Sequence, residues 1–145
     1  MANKLILALC LVAFIYCETP VFEVETGKSS NNVFTVKKGL QFTIKLAGNP
    51  TTGYSWFLVN LKNVTESKFI SNVDTNEDGS AGGYVPGDII YENGTIIEGA
   101  GGNFYFTFEA EAKTSEPVTL LFSYHTPWEG INNVADVAKV QIIVN

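Results

Sequence analysis

The chain has 145 residues, a formal net charge of −6, two cysteines and one histidine. That length suits a single domain with a core large enough to fold unaided. An acidic chain without a basic cluster is a poor match to nucleic acid or to an anionic membrane surface. With so few thiol and imidazole groups, it also offers little for nucleophilic catalysis or for binding a metal.

Met1-Ala2-Asn3-Lys4 is a basic start, Leu5 to Tyr16 is an unbroken apolar run containing Cys10, and polar sequence resumes at Glu18. This reads as a secretory leader over 1–17, cleaved after Cys17. The run is short for a membrane span, and an uncleaved anchor is the alternative. Cleavage there removes both cysteines, so domain 18–145 has no disulfide, no thiolate nucleophile and no thiolate metal site. Losing Lys4 lowers the charge from −6 by one, to −7. The leader directs the protein to the secretory or endomembrane route (secreted, lysosomal or phagosomal); a leader that does not function leaves it cytoplasmic.

Beyond the leader, nearly every segment has period two. Val21–Val24 and Val33–Val36 are short strands. Leu40, Phe42, Ile44 and Leu46 alternate with polar residues, as do Phe104, Phe106, Phe108, Ala110 and Ala112. Val118, Leu120, Phe122 and Tyr124 form one apolar face, and Ala138, Val140, Ile142 and Val144 another. Tyr54 to Val59 is apolar on both faces and is expected at the centre of a sheet. Leu61 to Ile70 holds a turn of helix at most. The stretch from Asp74 to Asp88, with four glycines and Pro86, offers little to bury and is expected to be a loop. Short strands punctuated by turns predict an all-β fold, an immunoglobulin-like antiparallel sandwich of about seven or eight strands.

The most constrained stretch is Asn49-Pro50-Thr51-Thr52-Gly53-Tyr54-Ser55-Trp56. Pro50 fixes its own φ and disfavours helix at Asn49, Asn49 can close an Asx turn, and Gly53 can take a positive φ. A short stiff loop with two hydroxyls at its tip follows, either a binding loop or simply a well-made turn. Strands over 40–47, 54–60, 88–97, 103–112, 118–124 and 136–144 that alternate in direction bring three connections to one end. These are 48–53, 98–102 with Gly99-Ala100-Gly101-Gly102, and 125–135 with His125-Thr126-Pro127-Trp128-Glu129-Gly130. Sandwiches gather binding loops at one end in this way.

Catalytic patterns are weak. No G-x-S-x-G elbow stands between a strand and a helix, and Glu109 with Glu111 reads better as two solvated carboxylates than as an acid–base pair. Asp74-Thr75-Asn76-Glu77-Asp78-Gly79 matches the first half of a calcium loop, but Val85 stands where the bidentate Glu belongs, so a solvated acidic loop is the better reading. The glycine run lacks the lysine of a phosphate cradle and fits a turn that lets a partner's backbone approach. Trp128, after Pro127 in a loop, is either an exposed interface anchor or a lid over the sandwich end. Asn63-Val64-Thr65 and Asn93-Gly94-Thr95 are glycosylation sequons, and Asn93-Gly94 is also a hairpin turn signal. No metal or cofactor is called for.

Taken together, N-P-T-T-G-Y-x-W, G-x-G-G and P-W before a final strand resemble the chagasin family of cysteine protease inhibitors, over roughly Phe22 to Asn145. The resemblance implies a monomer when free that inhibits endogenous or host papain-like cysteine proteases reversibly, competitively and tightly. It places Asn49, Pro50, Thr51, Thr52, Gly53 and Tyr54 in the cleft, with the two threonines nearest the catalytic cysteine. Gly99, Ala100, Gly101 and Gly102 lie along one wall, and Thr126, Pro127 and Trp128 on the other. Thr126 stands where the family typically has arginine, which implies a lost charged contact or loop-bracing hydrogen bond. The rival reading is a secreted Ig-like adhesion or carbohydrate-binding domain that uses the same loops.

Overall fold

The computed structural model describes residues 18–87, 91–92, 95–96 and 101–145, so the leader expected over 1–17 and the residues Gly99 and Ala100 lie outside the described residues. Two sheets face each other. The first runs β1 (Val21–Glu23), β3 (Gln41–Gly48), β9 (Gly102–Ala110) and β5 (Ile70–Asn72), with β6 (Gly83–Pro86) on the upper half of β9. The second runs β2 (Asn32–Val36), β11 (Val134–Val144), β10 (Val118–His125) and β4 (Ser55–Leu58). A separate two-stranded hairpin joins β7 (Tyr91–Glu92) to β8 (Thr95–Ile96), and α1 (Leu61–Glu66) follows β4. Among the described residues no helix is long and apolar enough to cross a membrane.

The alternation in the sequence builds the core directly. Phe42, Ile44 and Leu46 of β3, Phe104, Phe106 and Phe108 of β9, Leu120 and Phe122 of β10, and Val140, Ile142 and Val144 of β11 are all buried. Aromatic rings join the layers: Phe106 meets Phe122 edge-on at 4.8 Å, and Phe22 stacks on Phe34 at 4.4 Å. Such geometries add to the burial of apolar area.

Several local expectations change. β1 pairs with β3, and β2 with β11, in parallel. Alternating direction constrains consecutive strands, and these neighbours are not consecutive, so like-directed strands come to lie side by side. β4 is an edge strand rather than a central one, yet Trp56, Phe57 and Leu58 are all buried. Phe57 is covered by a bridge to Ser80 and by the stacked ring of His125, and the Leu58 amide donates to Gly79 at 2.8 Å. The 74–88 stretch is not one open loop, because β6 lies within it. Of the strand expected over 88–97, the described residues Tyr91–Glu92 and Thr95–Ile96 form the antiparallel pair β7–β8, which comes between β6 and β9 in chain order.

Candidate functional site

Registry brings three connections to one rim. Gly48 at the end of β3 faces Gly102 at the start of β9, while His125 at the end of β10 faces both Ser55 of β4 and Val134 of β11. The first loop therefore bridges the two sheets, flanked by the second loop on one side and the third on the other.

The first loop is a single 3-10 turn over Pro50–Thr52, as its sequence dictates. Asn49 is extended (φ −133°) and its Oδ1 accepts from the Thr51 amide at 3.1 Å and the Thr51 hydroxyl at 2.6 Å. Pro50 opens the turn, and Gly53 closes it in the left-handed region (φ 84°), its amide donating to the Pro50 carbonyl at 3.0 Å. The Thr52 hydroxyl donates to the Asn49 carbonyl at 2.6 Å. Both threonine hydroxyls thus donate within the loop, to Asn49, while the residues themselves are exposed. At the root, Trp56 Nε1 donates to the Ala47 carbonyl at 2.9 Å. Tyr124 extends its hydroxyl to Asn49, accepting from its amide at 2.9 Å and donating to its carbonyl at 3.2 Å.

The second loop is closed at its base by the Gly87 amide donating to the Gly101 carbonyl at 2.7 Å. Gly101 (φ 75°) lies against the first loop: a Cβ there would sit 3.3 Å from the Gly48 carbonyl oxygen and 3.8 Å from Asn49 Cβ.

The third loop is a β-turn with Pro127 second, closed by the Glu129 amide donating to the Thr126 carbonyl at 3.2 Å. Trp128 is 74% exposed, so it is not a buried lid. Its ring passes over Gly53, where a Cβ would come within 2.8 Å of the indole Cη2. Thr126 is 4% exposed, and its hydroxyl donates to Glu129 Oε2 at 3.0 Å, the same oxygen that accepts from Asn133 Nδ2 at 2.9 Å. Thr126 thus supplies a loop-bracing hydrogen bond of its own, and its side chain faces the loop rather than solvent. His125 beneath is buried, its Nδ1 2.8 Å from the Ser123 hydroxyl, and burial lowers its pKa from the ordinary 6.5.

Sequence reasoning passed over Tyr124 as a loop clamp, Glu129 and Asn133 as braces, and Ile131, which is 70% exposed on the same loop as Trp128. The spacing Thr126-x-x-Glu129 was a usable signal, because it is the capping pattern of a turn start. Elsewhere, Asp74 and Asp78 of the 74–79 stretch serve as hydrogen-bond acceptors within the protein. Asp74 Oδ1 accepts from the Thr107 amide and Asp78 Oδ1 from the Ser80 hydroxyl, which holds the Asp78 carboxyl below its usual pKa. Among the described residues no group of three or more His, Cys, Asp or Glu could hold a metal ion.

A family model described as chagasin family peptidase inhibitor I42 matches residues 35–142. Among solved structures, the chain is similar to Amebosin in solution, at 21% identity over 89% of this chain and 100% of that one, TM-score 0.52. It is similar to the cysteine protease inhibitor EhICP2 from Entamoeba histolytica, at 14% identity over 89% of this chain and 99% of that one, TM-score 0.58. A third similarity is to PbICP-C in complex with falcipain-2, at 13% identity over 87% and 99% of the two chains, TM-score 0.49. Comparison with curated proteins returned no match. The family match covers most of the chain and includes all three rim loops: this protein belongs to the chagasin family of peptidase inhibitors.

Proposed function

We propose that the protein inhibits papain-like cysteine proteases reversibly, competitively and tightly, by laying its three-loop rim in the active-site cleft. The observation that carries this reading is the contact among the three loops, with Gly101 against Asn49 and the exposed Trp128 ring over Gly53. The papain-like class rests on the loop motifs, and the similar EhICP2 is itself a cysteine protease inhibitor.

A papain-type site attacks a carbonyl only when the peptide is presented in near-attack geometry to the thiolate. The 3-10 turn withholds that geometry, because the Asn49 and Pro50 carbonyls are already engaged by Thr52 and Gly53. A turn held from both sheets also loses little conformational freedom on docking, so affinity can be high at an ordinary interface area. Leader 1–17 would deliver the protein to the secretory or endomembrane route, and N-terminal sequencing of the native protein should then begin at Glu18.

The test is titration into papain with a chromogenic substrate. The expected outcome is stoichiometric loss of turnover, relieved by raising substrate. Undiminished turnover at inhibitor concentrations well above the enzyme's contradicts the proposal and favours an adhesion or carbohydrate-binding role.

A further inference from the structure

Tyr124 is a tyrosine on β10, a strand of the second sheet, yet its hydroxyl ends at the backbone of a loop that grows from the first. It accepts from the Asn49 amide at 2.9 Å and donates to the Asn49 carbonyl at 3.2 Å, engaging both backbone groups of the residue that caps the 3-10 turn. The ring that carries this hydroxyl is packed among its neighbours. Tyr54 lies 5.5 Å away on one side and Trp56 5.1 Å on another, and a Cβ on Gly48 would come within 3.1 Å of the Tyr124 ring. Two residues further along the chain, Thr126 begins the turn that carries Trp128. One side chain thus ties the first loop to the base of the third.

We propose that Tyr124 is a positioning residue for inhibition, whose hydroxyl keeps the first loop in its turned form and so keeps it from being cut. This rests on the reading of the rim as the protease-binding surface. To become a substrate, residues 49–53 must straighten so that a carbonyl meets the thiolate, and straightening pulls Asn49 off the Tyr124 hydroxyl. Pro50 and Gly53 favour the turn locally, but neither anchors it to the sandwich. The hydroxyl does, and a hydrogen bond that survives only in the turned form biases the loop toward it.

Tyr124→Phe tests this, because it keeps the ring between Tyr54 and Trp56 and removes only the oxygen. Wild type and variant are compared for Ki and dissociation rate against papain, for melting temperature, and, after prolonged incubation with the enzyme, for cleavage by mass spectrometry. The expected result is a Ki raised about tenfold or more through faster dissociation, with enzyme activity returning over time and a new cut between Asn49 and Gly53. The melting temperature should change little. An intact loop with Ki within about twofold of wild type overturns the proposal. A lower melting temperature with unchanged Ki and an intact loop also overturns it, since the hydroxyl would then serve stability alone. Wild type that fails to inhibit papain contradicts the function itself, which is a separate outcome.

Discussion

Trp128 stands 74% exposed over a glycine that has no side chain to push it away. An aromatic ring fixed by a turn, with most of its surface exposed, is the typical anchor of a protein interface. Trp128→Ala should raise Ki for papain by roughly 30-fold, about 2 kcal/mol, without changing the melting temperature. Gly53→Ala acts on the same contact from below. It places a side chain at φ 84° and pushes the Cβ toward the indole. It should cost about 1 kcal/mol of stability in urea unfolding and weaken inhibition as well, which a purely conformational effect in the free protein would not do. His125 predicts a pH dependence. Its folded pKa lies below the ordinary 6.5, so in the window between the two values the unfolded chain binds a proton that the folded chain refuses. Stability from this group is complete above the ordinary value and falls as pH drops through it. The urea midpoint should be lower at about pH 5.5 than at about pH 7.5, and His125→Phe should reduce that difference. Asp78, with its carboxyl held below 3.8 by Ser80, contributes in a separate, more acidic window, where its stabilisation is lost as pH falls.

At the level of the element, the third loop is built from a proline-started turn and a carboxylate brace. Glu129 Oε2 collects hydrogen bonds from Thr126 and Asn133, on opposite sides of the turn that presents Trp128. Glu129→Ala should lower stability by about 1 kcal/mol and raise Ki, whereas Thr126→Ser, which retains the donor, should do neither; urea unfolding and inhibition assays check both. The two loop turns were legible in the sequence to different degrees. Pro50, Gly53 and Asn49 each carry a backbone preference that acts alone, so the first turn could be read before any tertiary contact was known. For the Thr126 brace the Thr126-x-x-Glu129 spacing was the local signal, but the burial of Thr126 and the second bond from Asn133 could not be read from it. Phe57 and its neighbours misled for a related reason. An apolar segment on both faces normally marks a central strand, but here His125 and Ser80 cover an edge.

For the whole molecule, alternating strand direction set the placement of the rim. β3, β4, β9, β10 and β11 lie in the registers that bring Gly48, Gly102, Ser55, His125 and Val134 to one end. The period-two pattern was enough for this, since one-residue slips would turn Phe42, Phe106 or Val140 to solvent. The pattern was silent on which non-consecutive strands adjoin, so the parallel pairs β1–β3 and β2–β11 were not foreseen. The opposite end is held by other bonds, from Gly39 to Ala110 and from Lys38 to Asn145, and carries α1 and the 111–117 connection. The two ends therefore make opposed predictions for a complex. Amide hydrogen exchange of the protein alone and bound to papain tests the account most directly. Protection confined to 48–54, 99–103 and 126–131 is the predicted result; protection centred on 37–40, 61–68 and 111–117, with the Thr51 and Trp128 regions unchanged, would contradict it.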